Sequence, residues 1–199
     1  MALPAVDCFA DCHAGLPGAV LGGGPSLPGD LERLPPHTVL FGVNHHAAQV
    51  VDCDYLVFND AVTADRVASL PGLKVSPLAH LSDIDLAGAW TGGLISTSSV
   101  TAAWFALHLG CAPVILCGMD CRQGDRNYFY QPPGAGFPGM SPGHLDLEKQ
   151  LATWRTCLER CPHPHRLRAA SGPLAGVFGE WDGYAVADPA GEGARDPGA

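Results

Sequence analysis

The chain has little of what marks a nucleic-acid-binding or membrane protein. Lysine and arginine number 11 against 20 acidic residues, which leaves a net charge of -9 at pH 7. A nucleic-acid backbone requires compensating positive charge, so this balance argues against such a partner. No apolar run reaches the roughly 18 residues of a membrane-spanning helix, and no basic tract suggests an anionic membrane surface. The start of the sequence lacks the positively charged segment of a secretory signal, so we expect a cytoplasmic protein.

Charged residues are also scarce, at 16% of the chain, whereas hydrophobic residues make up 47%. A chain of 199 residues with this composition has room for one domain with a full-sized core. Its eight cysteines are even in number, but a core of this size needs no disulfide scaffold. Two short clusters, the Cys and His residues within 157–165 and Cys8, Cys12 and His13, are too crowded for a typical zinc site, and we predict no metal there.

The most informative segment is A-V-L-G-G-G-P-S-L at 19–27. Three apolar residues lead into three glycines, which predicts a buried strand that ends in a loop. Glycine lets backbone N–H groups approach a phosphate because no Cβ stands in the way. Ser26 is then placed to cap the following helix, whose N-terminus favours anions. The segment predicts a nucleotide site at Gly22, Gly23, Gly24, Pro25 and Ser26, with an ordinary glycine-proline turn after a core strand as the alternative.

Short apolar strands alternate with helices along the chain, which predicts an α/β, Rossmann-like fold: a mostly parallel sheet with helices on both faces. Strands are predicted at 19–22, 38–43, 55–58, 73–76, 113–117 and 166–170. Helices are predicted at 27–34, 44–51, 62–70, 100–109 and 144–161, and 131–143 is predicted to be irregular. We expect a lead-in at 1–18, one domain at 19–183 with a lid at about 121–143, and a disordered tail at 184–199.

Polar residues follow several of the predicted strands, namely Asn44, Asn59 with Asp60, and Asp120. Parallel sheets bind ligands at the carboxyl ends of their strands, so we predict that these residues share a cleft with the glycine loop. Asp60 and Asp120 are candidate Mg²⁺ ligands beside the phosphates of a donor. The alternative is that each caps the helix or loop that follows it.

Basic and imidazole side chains accompany these strand ends. Arg122 and Arg126 are candidate partners of a diphosphate, or else solvated charges of a loop. His45 and His46 come directly after Asn44, which follows the second of the predicted strands. Because adjacent side chains diverge, we expect one imidazole to face the cleft and the other the solvent.

Taken in order, the strand-end motifs resemble a known group. They are GGGPSL at 22–27, GVN at 42–44, ISTSSVTAAWFALHLG at 95–110 and VILCGMDCRQGDRNYFY at 114–130. The sequence is similar to the bacterial lipooligosaccharide sialyltransferases and to the related MptE-like 6-hydroxymethylpterin pyrophosphokinase family, and uncharacterised phage proteins carry similar patterns. The resemblance spans about 19–179 and implies a Rossmann-like fold that binds a nucleotide donor.

The resemblance also implies which positions hold the donor. In the sialyltransferases the glycine turn and the asparagine of the next strand hold a CMP-sugar, and these positions match Gly22, Gly24, Pro25, Ser26 and Asn44. The Ser-Thr loop before the long helix corresponds to Ser96, Thr97 and Ser98. Lid tyrosines that hold the leaving phosphate correspond to Tyr128 and Tyr130. The family loop usually reads G-N-G-P-S, so Gly23 replaces an asparagine and removes a side-chain contact to the donor.

The family's catalytic base is a histidine shortly before the next helix, and His144 occupies a comparable place. A helix N-terminus disfavours imidazolium, so a neutral imidazole able to accept a proton is reasonable there. As general base, His144 would deprotonate an acceptor hydroxyl. The alternative is a surface histidine in the first helical turn.

The sequence therefore predicts a transferase that uses a nucleotide or nucleotide-sugar donor. The first hypothesis is a sialyltransferase-like glycosyltransferase that transfers with inversion to a hydroxyl of a glycan or small-molecule acceptor, without a cofactor. Two alternatives stay open. One is a Mg²⁺-dependent, pyrophosphokinase-like transferase that uses Asp60 or Asp120. The other is a non-catalytic nucleotide-binding or assembly protein of phage type.

Overall fold

The computed structural model of the chain describes residues 6–86, 97–138, 140, 145–160 and 163–183. The strands there are β1 (Gly18–Leu21), β2 (Val39–Val43), β3 (Tyr55–Val57), β4 (Leu73–Ser76), β5 (Ile84–Asp85), β6 (Val114–Cys117) and β7 (Leu167–Ala169). The α-helices are α1 (Leu27–Leu31), α2 (Ala61–Val67), α3 (Ser98–His108), α4 (Leu147–Arg160) and α5 (Ala175–Phe178). Short 3₁₀ turns lie at Val6–Phe9, Ala47–Gln49, Ala79–Leu81 and Pro164–Arg166.

The strands form one sheet in the order β5-β4-β3-β2-β1-β6-β7, and each pair of neighbours is parallel. The predicted α/β, Rossmann-like architecture is therefore confirmed. The chain leaves β1 toward β2 on one side and later returns as β6 on the other. This reversal places a topological switch point between β1 and β6, where Leu21 pairs with Cys117.

Side chains that alternate along each strand enter two separate hydrophobic cores. Val20 and Phe41 lie in the core that also holds the buried residues of α3 and α4. Leu21 and Leu56 lie in the opposite core, together with residues of α1 and α2. Helices thus cover both faces, which explains why the strands read as continuous apolar runs.

Helix α3 is apolar on nearly all sides, as expected of a helix buried within a domain. Its small residues Ala102, Ala103 and Ala106 are fully buried. Small side chains let the helix backbone approach the sheet closely, and α3 contacts β1, β2, β3 and β6. The helix therefore runs across the centre of the sheet, and its first turn lies at the carboxyl edge.

The described part of the predicted lead-in packs against the domain. The N–H of Asp11 donates to the carbonyl of His108 at 3.1 Å, and that of His13 donates to Leu109 at 2.8 Å. Val6 is buried in the core beside α3. These contacts tie residues 6–17 to the end of α3, while the predicted division of the chain into lead-in, domain and tail stays a prediction.

Most predicted elements lie within a few residues of those observed, and the exceptions have local causes. The prediction of a helix at 44–51 is wrong. Asn44 has a φ of +58°, which is not helical, and only the short 3₁₀ turn Ala47–Gln49 follows it. Strand β5 and helix α5 were missed, since their two and four residues are too short to show periodicity. None of the helices in the described ranges is long and apolar enough to cross a membrane.

Candidate functional site

A cleft of about 540 Å³ opens at the carboxyl edge of the sheet, next to the switch point. It is lined by the loops that follow β1, β2, β3 and β6, by the first turn of α3 and by one side of α4. The predicted site residues that line it are Gly22, Gly23, Gly24, Asn44, Asp60, Thr97, Ser98, Asp120 and Tyr128. Four strand-end segments that lie far apart in sequence therefore meet around one space.

The glycine loop is packed closely against neighbouring segments of the protein. A Cβ at Gly22 would overlap the carbonyl oxygen of Gly118, and one at Gly24 would overlap the carboxylate of Asp120. A Cβ at Gly23 would lie 2.7 Å from Cβ of His46, closer than such atoms come in proteins. The neighbouring protein atoms therefore require glycine at each of these positions.

Three backbone N–H groups of this loop, those of Gly22, Gly24 and Ser26, already have protein acceptors. Gly22 donates to Cys117 O at 2.8 Å and Gly24 to Gly118 O at 2.9 Å. The N–H and the hydroxyl of Ser26 both donate to Oδ2 of Asp120, at 3.2 and 3.0 Å. The expectation that Ser26 caps α1 is wrong, because its hydroxyl bonds carboxylates instead of a helix N–H.

A buried carboxylate that the sequence did not single out joins three of the loops. Oδ2 of Asp30 accepts the N–H of Gly118 at 2.8 Å and the hydroxyl of Ser171 at 3.0 Å. It also lies 3.0 Å from Oγ of Ser26, whose one hydroxyl hydrogen it shares with Asp120. The residue is 3% exposed. Its three bonds hold the ends of β1, β6 and β7 in a fixed relation and keep the switch point rigid.

Asp120 is held between burial and hydrogen bonding. Burial raises the pKa of its carboxyl, the two bonds from Ser26 lower it, and the nearby charge of Asp30 raises it again; the net shift is upward. The lining of the cleft therefore contains a carboxyl group that is harder to ionise than an exposed aspartate. Arg122, on the same loop, brings a guanidinium to the lining.

The two predicted asparagines behave differently. Asn44 lines the cleft, and its Oδ1 is buried without a hydrogen-bond partner in the described structure. Asn59 does not line the cleft; its N–H donates to Ser98 Oγ at 3.1 Å and its Nδ2 to Thr101 Oγ1 at 3.0 Å. Asn59 therefore fastens the end of β3 to α3. Its Oδ1 is also buried without a partner, but only Asn44 places such an acceptor in a residue that lines the cleft.

The first turn of α3 faces the cleft through Thr97, Ser98 and Ser99. Thr97 is the N-cap residue, and its hydroxyl accepts the N–H of Val100 at 3.3 Å. The N-terminus of this helix carries a positive partial charge, which favours a negative group in the cleft. Asp60 also lines the cleft and precedes α2, but its side chain makes no capping hydrogen bond.

An aromatic stack closes the cleft on the lid side. The ring of His46 stacks on Tyr128 with centroids 4.1 Å apart, and its Nδ1 is hydrogen-bonded to the hydroxyl of Tyr130 at 3.0 Å. Burial, followed by the charges of His45 and Arg66, lowers the pKa of His46 to about 4. The imidazole is therefore neutral at physiological pH.

The prediction for the histidine pair is half right. His46 faces the cleft as expected, but the two rings do not diverge, since the centroids of His45 and His46 are 4.2 Å apart. The turn that begins at Asn44 keeps both imidazoles on one side of the backbone. The sequence signal for His46 was its place directly after a strand-end asparagine.

Helix α4 supplies a wall that the sequence analysis missed. Gln150, Thr153 and Trp154 line the cleft, and Gln150 Nε2 donates to the carbonyl of Cys121 at 2.8 Å. The available signal was two polar residues, three apart, beside the apolar stripe of a helix. Trp154 is buried and packs edge-on against Phe178.

Some predicted site residues lie behind the cleft or outside the described residues. Pro25, Ser26, Asn59 and Tyr130 are not part of the lining. Ser96 and the proposed base His144 fall outside the described residues. In the described ranges no three His, Cys, Asp or Glu side chains are grouped as metal ligands, and Cys157 Sγ accepts a hydrogen bond from Trp104.

No family model matches the sequence, and no curated protein matches it at a significant level. The fold does match solved structures. The sialyltransferase CstII from Campylobacter jejuni, in complex with cytidine-5'-monophosphate, aligns with a TM-score of 0.56 and 17% identity over 85% of this chain and 87% of that one. The monofunctional α-2,3-sialyltransferase Cst-I from the same organism also gives a TM-score of 0.56 and 17% identity, over 84% and 81%.

A more distant match is the MAf glycosyltransferase from Magnetospirillum magneticum AMB-1, with a TM-score of 0.50 and 14% identity over 82% of this chain and 33% of that one. At such identities the likeness establishes the fold alone. The chain therefore has an α/β, Rossmann-like fold of the kind seen in these glycosyltransferases. The predicted resemblance to sialyltransferases is confirmed at that level, while the pyrophosphokinase and phage relationships stay predictions.

Proposed function

We propose that the protein is a glycosyltransferase-like enzyme that binds a cytidine nucleotide-sugar donor in the cleft at the carboxyl edge of the sheet. The observation that carries the proposal is the position of the cleft, at the β1/β6 switch point of a fold shared over most of the chain with a CMP-bound sialyltransferase. The acceptor is a hydroxyl group of a glycan or of a small molecule. Transfer inverts the anomeric centre, and His144 is the proposed base.

The lining matches a nucleotide in its polar chemistry. The unpartnered Oδ1 of Asn44 is an acceptor for an N–H or O–H group of the donor, since a buried oxygen without a partner costs about 1–3 kcal/mol. The N-terminus of α3 and the guanidinium of Arg122 favour the donor phosphate. Tyr128 covers the same space from the lid side.

The carboxylates of Asp60 and Asp120 support a second candidate, a Mg²⁺-dependent transfer of a diphosphate. The fit is poorer, because Oδ2 of Asp120 already accepts two hydrogen bonds from Ser26. The described residues also contain no group of three ligating side chains. Nucleotide binding that requires Mg²⁺ and is abolished by EDTA would favour this candidate over the first.

The test is a calorimetric titration with CMP, CTP and ATP, each with Mg²⁺ and with EDTA. We expect CMP to bind in EDTA, and Asn44→Gly to weaken it about tenfold or more. Glycine suits the φ of +58° at this position, so the variant removes the amide without straining the backbone.

The matched control for this titration is His37→Gly. His37 is exposed, also has a positive φ of +61° and does not line the cleft, so its replacement should leave CMP affinity unchanged. Flat titrations with all three nucleotides would overturn the proposed function. Binding without turnover of a CMP-sugar in the presence of acceptors would instead support a non-catalytic nucleotide-binding protein.

A further inference from the structure

One imidazole in the wall of the cleft has no role in the proposed reaction and yet makes several contacts. His46 is 9% exposed, and it lines the cleft at the turn that follows β2. Its ring lies between two others, with His45 at 4.2 Å and Tyr128 at 4.1 Å between centroids. Such stacking restricts the rotation of both partners.

The lid segment that carries Tyr128 is itself ordered by local bonds. Oε1 of Gln131 accepts the N–H groups of Asn127 and Tyr128, each at 3.0 Å. Arg126 Nη1 donates to the carbonyl of Gln131 at 2.9 Å. These bonds close residues 126–131 into one turn, so the orientation of Tyr128 depends on where this turn is docked.

Docking of the turn involves the glycine loop and His46. The N–H of Phe129 donates to the carbonyl of Gly23 at 2.9 Å. The space where a side chain at position 23 would lie is filled by His46 Cβ and Cγ, at 2.7 and 2.9 Å, and by Tyr128 Cδ1 at 2.9 Å. The missing side chain at Gly23 is therefore what lets His46 and Tyr128 meet over the loop.

A second contact fixes the far side of the turn. Nδ1 of His46 is hydrogen-bonded to the hydroxyl of Tyr130 at 3.0 Å, and the Tyr128 and Tyr130 rings are parallel within 10°. Tyr130 is 43% exposed and does not line the cleft. His46 thus holds one tyrosine by stacking and the other by a hydrogen bond, from a single buried position.

We propose that His46 is a positioning residue that fixes Tyr128 in the wall of the cleft, so that this wall is formed before the donor binds. The proposal rests on the proposed function for the identity of the ligand, CMP. A wall that is already ordered spares the ligand the entropy cost of ordering it, and the benefit appears as affinity. His46 therefore acts through Tyr128 and need not touch the donor.

The test is a double-mutant cycle on CMP affinity with His46→Ala, Tyr128→Ala and the double variant. We expect His46→Ala to weaken CMP about tenfold in the wild-type background and less than twofold in the Tyr128→Ala background. His46→Phe should restore affinity to within about threefold of wild type, because a phenyl ring keeps the stack and loses only the bond to Tyr130. Tyr130→Phe should match His46→Phe.

The control is His13→Ala, which removes a similar bond at the opposite edge of the sheet, from His13 Nε2 to the Tyr55 hydroxyl at 2.9 Å. It should leave CMP affinity unchanged. An equal loss from His46→Ala in both backgrounds would overturn the proposal, and so would failure of His46→Phe to restore binding.

The same cycle is measured on urea unfolding without ligand, so that failure of the proposed function is distinguishable. If no variant or wild type binds CMP, the proposed function is wrong. The positioning role would still be supported if the free energies of unfolding show coupling between positions 46 and 128, and if His46→Phe retains that coupling. Additive effects of the two substitutions on the free energy of unfolding would overturn it.

Discussion

The two ends of strands β2 and β3 differ: buried polar atoms without a hydrogen-bond partner follow these strands, whereas the polar group at the start of β3 is paired. Buried atoms of Asn44, His45 and Asn59 have no hydrogen-bond partner in the described structure, and all three residues follow β2 or β3. At the amino edge the hydroxyl of Tyr55, the first residue of β3, is bonded to His13. We call the carboxyl end of these strands, which holds the proposed site, the binding edge, and the amino end around Tyr55 the sealed edge.

The sealed edge is an aromatic cluster. Phe41 and Tyr55 stack with centroids 5.1 Å apart, and Phe105 packs edge-on against both, at 5.9 and 5.3 Å. Burial, the largest cause, raises the pKa of Tyr55 to about 12, so its hydroxyl stays protonated. If the cleft is the nucleotide site, as proposed, stability and ligand binding are separated along the strand direction. Among the three residues with an unpartnered atom, Asn44 lines the cleft, where a ligand can reach it.

The strongest test of this separation is Phe105→Ala at the sealed edge. Phe105 is fully buried, and its loss should lower the free energy of unfolding by about 3–5 kcal/mol. CMP affinity at a temperature where the variant is folded should change little. Urea denaturation and calorimetric titration measure the two effects. Val62→Ala, at a side chain 76% exposed, is the control and should alter neither. A large loss of affinity in folded Phe105→Ala would show that the edges are coupled.

The next effect is a pH dependence at the binding edge. The pKa of His46 is about 4 in the folded protein, below the 6.5 of an ordinary histidine side chain. Below pH 6.5 the imidazole of His46 is protonated in the unfolded chain but stays neutral in the folded protein. The free energy of unfolding therefore falls as the pH drops from about 6.5 toward 4. The full loss is about 3 kcal/mol, at 1.36 kcal/mol for each pH unit.

This contribution is isolated by comparing wild type with His46→Phe, since carboxyl groups titrate alike in both. In urea unfolding at several pH values, the free energy of unfolding of wild type should fall relative to that of His46→Phe, by up to about 3 kcal/mol between pH 6.5 and 4. A constant difference across this range would mean that His46 titrates normally. Burial of His46 at the binding edge would then not make the stability of the protein depend on pH.

The smallest expected effect is the helix cap of α3. Thr97→Ala should destabilise the protein by about 1 kcal/mol, because the N–H of Val100 loses its acceptor. Thr97→Ser keeps the hydroxyl and should be close to wild type in thermal unfolding. If the alanine variant is as stable as the serine variant, the cap of α3 contributes nothing to the free energy of unfolding. The contrast in stability between the two edges would then be larger than proposed.

Local patterns predicted much of this molecule. The apolar runs gave six of the strands of the sheet, with β4 at its observed bounds. They also placed Asn44, Asp60 and Asp120 at one edge, because parallel strands align their carboxyl ends. The predictions failed for Ser26 and for residues 44–51. In both, a contact with a distant residue or a positive φ overrode local preference.

The sequence by itself determined the parallel sheet, its carboxyl edge and the glycines at its first turn, since periodicity and residue size act over a few neighbouring positions. Only the tertiary structure decided what these residues touch. Ser26 bonds Asp120, 94 positions away, Asp30 bonds Gly118, 88 positions away, and Tyr130 bonds His46, 84 positions away. Such pairs form because packing of the whole chain brings them together, and no local pattern specifies them.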